Sequence, residues 1–192
     1  KLAEYLKTDH VVCLNSATAG MQLILNFLGI KEGDEVIVPA YTYCATANVV
    51  FHRGATPVLV DVNKDDFNIN CESVRSAITS KTKAIIAVDI AGFPANYDKL
   101  FEIINEPTIL NKFSPNNEIQ EKMGRIMIVA DAAHSIGAIY NNEYTGHQAD
   151  MTSYSFHAVK NHLFGIEKKA NHFDPRSYNT KHYLRPILRY RR

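Results

Sequence analysis

The chain has 192 residues, 46% of them hydrophobic and 21% charged, and a net charge of +1. That balance belongs to a folded domain and excludes a disordered or low-complexity chain. No apolar run approaches the roughly 20 residues that a bilayer crossing needs, and no charged-then-apolar segment opens the sequence as given.

Residues 11–14 (VVCL) form a short apolar run, followed by the small-residue stretch Asn15 to Gly20 and then Met21, Leu23, Ile24, Leu25 and Leu28 at helical spacing. This reads as strand, turn, helix. Such a turn can aim backbone N–H groups and the Thr18 hydroxyl at an anion. It can equally be an ordinary helix start capped by Ser16 or Thr18. A polar turn at 31–35 leads into a strand at 36–39, and residues 41–51 read as a helix closed by the turn at Arg53-Gly54. Residues 57–62 (PVLVDV) are a buried-strand pattern, Asn70 is a candidate cap for a helix at 72–78, and 83–90 (KAIIAVDI) is the next strand. Residues 97–105 look helical. Residues 106–124 are polar and carry Pro107 and Pro115, which predicts a surface insertion before the strand at 126–130.

Cys13, Cys44 and Cys71 are single and widely spaced, with no CxxC or HExxH pattern, so buried free thiols in a reducing cytoplasm are expected and no metal site is. Short apolar strands alternating with helices predict an α/β domain: a mostly parallel sheet covered on both faces. Right-handed crossovers then bring the carboxyl ends of the strands to one edge, where ligands bind. Thr18, Tyr43, Asp131 and Lys160 all lie at or just past predicted strand ends.

The stretch 126–161 (IMIVADAAHSIGAIYNNEYTGHQADMTSYSFHAVKN) places an acid, Asp131, at the end of one apolar run and a lysine, Lys160, just beyond the next. The two can be a strand-end acid and a surface cation that never meet. Alternatively the lysine can hold an aldehyde as a Schiff base. In that design an aspartate keeps the pyridine nitrogen of pyridoxal phosphate protonated, so the ring can accept carbanion electrons. A phosphate cradle, an aromatic face and a donor near the phenolic oxygen complete such a site, and Thr18, Tyr43 and His134 are residues of those types.

Five segments in this order, SATAGMQLIL, GDEVIVPAYTYCATAN, GATPVLVDV, ADAAHSIGA and SFHAVKN, resemble the DegT/DnrJ/EryC1/StrS family of pyridoxal-phosphate sugar aminotransferases. The resemblance spans residues 1–161 and implies the large three-layer α/β/α domain of a fold-type-I, aspartate-aminotransferase-like enzyme. It implies that Lys160 carries the cofactor and moves protons, Asp131 holds the ring nitrogen, and Tyr43 stacks on the ring. His134 would lie by the ring and its phenolic oxygen, and Ala17, Thr18 and Ser155 would bind the phosphate. The implied reaction moves an amino group from a donor such as glutamate to a nucleotide-linked keto-sugar, at a site usually formed in a homodimer. Relatives that dehydrate instead carry His at the lysine position, so Lys160 favours transamination.

Two features depart from the family pattern. The sequence starts inside it, and after Asn161 the expected threonine- and glycine-rich stretch and small C-terminal domain are replaced by HLFGIEKKANHFDPRSYNTKHYLRPILRYRR. Residues 162–192 hold eight Lys or Arg against Glu167 and Asp174. This basic tail is expected to be poorly ordered rather than to bind nucleic acid. Such a tail leaves the sheet without the antiparallel strand that sits between the lysine-bearing strand and the first strand. The expectation is therefore a fragment or disrupted reading frame, with weak or absent catalysis alone. The alternatives are a catalytically dead remnant that packs against a full-length copy, or another fold-type-I reaction.

Overall fold

The computed structural model describes residues 2–8, 10–157 and 160, together with the backbone of 187–190. A short helix, α1 (Leu2–Tyr5), precedes β1 (Val12–Cys13) and α2 (Ala17–Phe27). Then follow β2 (Glu35–Pro39), α3 (Ala45–Phe51), β3 (Thr56–Val60), α4 (Cys71–Ala77), β4 (Thr82–Val88) and α5 (Tyr97–Ile104). Two short helices, α6 (Pro107–Leu110) and α7 (Glu118–Met123), lead to β5 (Met127–Ala132). A small hairpin, β6 (Ile139–Tyr140) and β7 (Glu143–Tyr144), precedes β8 (Met151–Tyr154), and β9 (Ile187–Tyr190) completes the described elements.

The main sheet runs β1-β9-β8-β5-β4-β2-β3. Strands β3, β2, β4, β5 and β8 are mutually parallel, while β9 is antiparallel to both β8 and β1. The α/β class expected from the sequence is the one observed. The slot between the lysine-bearing strand and the first strand, expected to be a gap, is filled by Ile187–Tyr190. That correction has a simple cause: strand edges with unpaired N–H and C=O groups on both sides recruit extended chain. The rest of the expected basic tail, 162–186 and 191–192, lies outside the described residues.

Side chains alternate across the sheet as the two-residue strand period requires. Ile37, Ile85 and Ile128 point to one face, with Val74 of α4 and Leu100, Ile103 and Ile104 of α5 packed over them. Val36, Val38, Ile86 and Val129 point to the other, under Met21, Ile24 and Leu25 of α2 and Val49 and Val50 of α3. Both faces are thus covered, and every residue of β4 and of β5 is buried.

Local signals explain the element starts. The Ser16 hydroxyl accepts from the Ala19 N–H at 3.1 Å and caps α2, and Asn70 caps α4 through the Ser73 N–H at 2.9 Å. Of the two candidate caps for the first of these helices Ser16 is the one used, and Thr18 falls inside the first turn. The helix expected over 41–51 begins only at Ala45, because residues 41–44 bend and carry Thr42 and Tyr43 toward the strand ends.

The segment at 106–124 is largely exposed, as expected of a surface insertion, but it folds into α6 and α7 and is anchored by two buried residues, Ile109 and Gln120. Gln120 is fully buried and donates to the Leu28 carbonyl at 3.0 Å, and Asn117 donates to the same oxygen at 3.0 Å. Its polar side chains close the exposed carbonyl end of α2, work that hydropathy alone does not reveal. The cysteines also correct the expectation of buried thiols: Cys13 and Cys44 are exposed and Cys71 is half-buried. Cys13 belongs to a two-residue edge strand with both residues exposed, and Cys44 stands at the solvent-facing start of α3. Among the described residues no helix is long and apolar enough to cross a membrane.

Candidate active site

The parallel strands deliver their carboxyl ends together. Val88 pairs with Asp131, and Asp131 pairs with Ser153, so three strand ends lie at one level. Beside them stands the N-terminus of α2, tied down where the Ser153 hydroxyl donates to the Ala17 carbonyl at 2.9 Å. Between these elements is a cavity of about 230 Å³. Its lining includes Ala17, Thr18, Tyr43, Asp131, His134, Ser155 and Lys160. The seven residues singled out from the sequence therefore converge on one space, although they are spread over more than 140 positions.

Lys160 and its neighbours form the mouth. Its Nζ lies 3.3 Å from Nε2 of His134 and 5.0 Å from the centre of the Tyr43 ring. Tyr43 is 67% exposed, so its ring is a wall of the cavity and not core packing. Ser155 is buried just past β8, and its hydroxyl accepts from the His157 N–H at 3.3 Å.

Asp131 forms the floor. It is part of β5 and almost fully buried. Thr46 of α3 donates its hydroxyl to Oδ2 at 2.9 Å, and the Ala133 N–H donates to Oδ1 at 3.3 Å. Burial pushes the carboxyl above its ordinary range, while these two donors and the positive charge of Lys160 pull it back. Thr42 in turn hydrogen-bonds Thr46 at 2.8 Å.

At the cavity's other end, the first-turn N–H groups of α2 have no intrahelical acceptors, and the helix dipole adds positive potential there. Ala17 and Thr18 present that end to the cavity. An anion at α2, an aldehyde at Lys160 and a basic ring nitrogen at Asp131 would each meet a group of matching chemistry. The residues present fit pyridoxal phosphate.

Two residues of this region escape inspection of the sequence. Thr46 is an inner-face threonine of a helix, with only its spacing of four from Thr42 to mark it. Asp89 follows β4 as an acid at the same sheet edge as Asp131, which is the one signal that could have singled it out.

Known proteins carry the same pattern. The model of the DegT/DnrJ/EryC1/StrS aminotransferase family matches residues 1–110 and 111–165. An uncharacterized protein of Methanocaldococcus jannaschii is 40% identical over 157 residues, covering 82% of this chain and 36% of the relative. Spr1654 of Streptococcus pneumoniae, described as a sugar aminotransferase and solved in its PLP form, is 40% identical with a TM-score of 0.85. That match covers 100% of this chain and 44% of Spr1654. The PMP form of the same protein gives 0.84. DesV of S. venezuelae is 32% identical with a TM-score of 0.73, over 98% of this chain and 42% of DesV. The chain thus spans less than half the length of each of these proteins.

Proposed function

Because the chain belongs to the DegT/DnrJ/EryC1/StrS aminotransferase family, we propose that it forms the cofactor-binding part of a pyridoxal-phosphate sugar aminotransferase. The substrate in this reading is a nucleotide-linked keto-sugar, and the amino donor is an amino acid such as glutamate. The observation that carries it is Lys160 Nζ, held 3.3 Å from His134 at the mouth of a cavity floored by buried Asp131. The likeness to a protein solved in both PLP and PMP forms supports the choice of cofactor.

When bound, pyridoxal phosphate withdraws electrons from the substrate carbon that loses a proton. The chain's residues supply the rest. Lys160 Nζ would hold the aldehyde group and, once released from it, would carry a proton beside His134 Nε2. Asp131, whose oxygens accept from Thr46 and the Ala133 N–H, would hold the ring nitrogen in its protonated form. Tyr43 would cover one ring face, and His134 would lie by the phenolic oxygen. Ala17 and Thr18 at the start of α2, with the Ser155 hydroxyl, hold the phosphate. A lysine at position 160 favours transamination over dehydration.

Residues 1–161, completed by the strand at 187–190, act in this reading as the large domain, the rest of 162–192 as a divergent basic tail, and the working unit is a cytoplasmic homodimer. Exposed Tyr41, Phe67 and Phe93 offer an apolar surface for the second subunit. Size-exclusion chromatography with light scattering tests the dimer, and a monomer across the micromolar range contradicts it. Mixing the purified chain with pyridoxal phosphate tests the cofactor: a lysine-bound aldehyde gives a yellow visible band. Amination of a nucleotide-linked keto-sugar, followed by mass spectrometry, tests the reaction. A band without amination separates cofactor binding from turnover and favours the inactive remnant.

A further inference from the structure

Asp89 is fully buried beside the cavity yet does not line it. Its Oδ1 accepts from the Tyr97 hydroxyl at 2.7 Å and from the Ala95 N–H at 3.2 Å, and its Oδ2 accepts from the Ser135 hydroxyl at 2.5 Å. Its own N–H donates to the Asp131 carbonyl at 3.1 Å. One residue therefore grips both ends of the segment 131–135, and His134 lies between the two anchor points. Ser135 is held from its other side as well, since its carbonyl accepts from the Thr145 hydroxyl at 2.5 Å and its N–H donates to the Ala132 carbonyl at 3.1 Å.

Burying a carboxyl group costs free energy unless its oxygens are hydrogen-bonded, and an apolar residue would fill the same space without that cost. What an apolar residue cannot do is hold the Ser135 hydroxyl, and with it the turn that follows β5. With that turn fixed at both ends, only the ring torsions of His134 remain to be set. We propose that Asp89 is a positioning residue: through Ser135 it fixes the turn after β5 so that His134 faces Lys160. The inference rests on the reading of Lys160 and His134 as cofactor-handling residues.

The test uses the whole chain and pyridoxal 5′-phosphate itself, with two readouts. The first, on protein without cofactor, is the ring resonances of His134 by NMR. The second is the dissociation constant from the visible band. Ser135→Ala removes the link alone and is expected to shift or broaden the His134 ring signals and to weaken cofactor binding about tenfold, the worth of one hydrogen bond to a charged group. Asp89→Asn keeps the Oδ1 contacts and can donate from Nδ2 to Ser135, so it is expected to preserve the His134 signals. Asp89→Ala should behave like Ser135→Ala, and if it fails to fold the other two variants decide. Unchanged His134 signals in a folded Ser135→Ala protein overturn the proposal. If the unmodified chain binds no cofactor, the aminotransferase reading fails instead, and the His134 signals still decide the positioning role.

Discussion

Thr46, on a helix 85 residues before the acid in sequence, donates its hydroxyl to Oδ2 of Asp131 at 2.9 Å with both residues buried. This bond couples the α2–α3 face of the sheet to the floor of the cavity. It is also what favours the ionised carboxylate against the upward push of burial.

Replacing that hydroxyl with a methyl group should have two effects. Thr46→Val leaves a buried carboxylate oxygen short of a donor, costing about 1–3 kcal/mol of stability. The Asp131 carboxyl is then pushed further upward, and the more it is protonated the less well it holds a protonated ring nitrogen. Urea unfolding and a pyridoxal phosphate titration measure the two, and Thr46→Ser should restore most of both. Full stability and affinity in Thr46→Val would show that the contact is incidental.

Asp89 predicts a pH dependence of stability. Burial pushes its carboxyl up to about 6 against an ordinary 3.8, and its three donors only partly oppose this. Between those values the folded chain binds more protons than the unfolded chain, so stability falls as pH rises through this window and levels off above it. A shift of this size corresponds to about 3 kcal/mol. Denaturation at a series of pH values, compared with Asp89→Asn, isolates the contribution. The difference between the two proteins should change across pH 4–6 and stay constant above pH 7, and an invariant difference would contradict the assignment.

Asp150 sets the start of the two strands that carry the site. Its carboxylate takes both guanidinium arms of Arg125, at 2.8 and 2.6 Å, and the Ile128 N–H at 2.8 Å. The Asp150 side chain is 6% exposed and that of Arg125 is 23%, so solvent screens the pair in part. Asp150→Ala should cost about 2–3 kcal/mol, below the value for a fully enclosed pair. Thermal unfolding reads this directly, and a loss under about 0.5 kcal/mol would place the pair among ordinary surface bridges.

The strand pattern and the edge at which ligands gather were legible because buried parallel strands read as short apolar runs, and small turns mark where they end. The seven cavity residues were legible because they sit in contiguous segments such as ADAAHSIGA. Thr46 and Asp89 were not, since each acts through a partner distant in sequence, and a single buried hydroxyl or acid has no periodicity. The anchors of the largely exposed 106–124 segment were hidden for a related reason. Its Asn and Gln side chains look solvent-bound, yet they cap the carbonyl end of α2. The strand at 187–190 was hidden because residues that complete a sheet are chosen by the vacancy they fill as much as by their own pattern.

Lys160 is proposed to hold an aldehyde cofactor over Asp131. The most direct measurement is the visible spectrum of the purified chain with pyridoxal phosphate, before and after borohydride reduction, alongside Lys160→Ala. The unmodified chain should turn yellow, and reduction should fix the cofactor to the peptide containing Lys160. Lys160→Ala should show neither band nor label. A folded chain with no band, or an equal band and label in Lys160→Ala, would contradict the account.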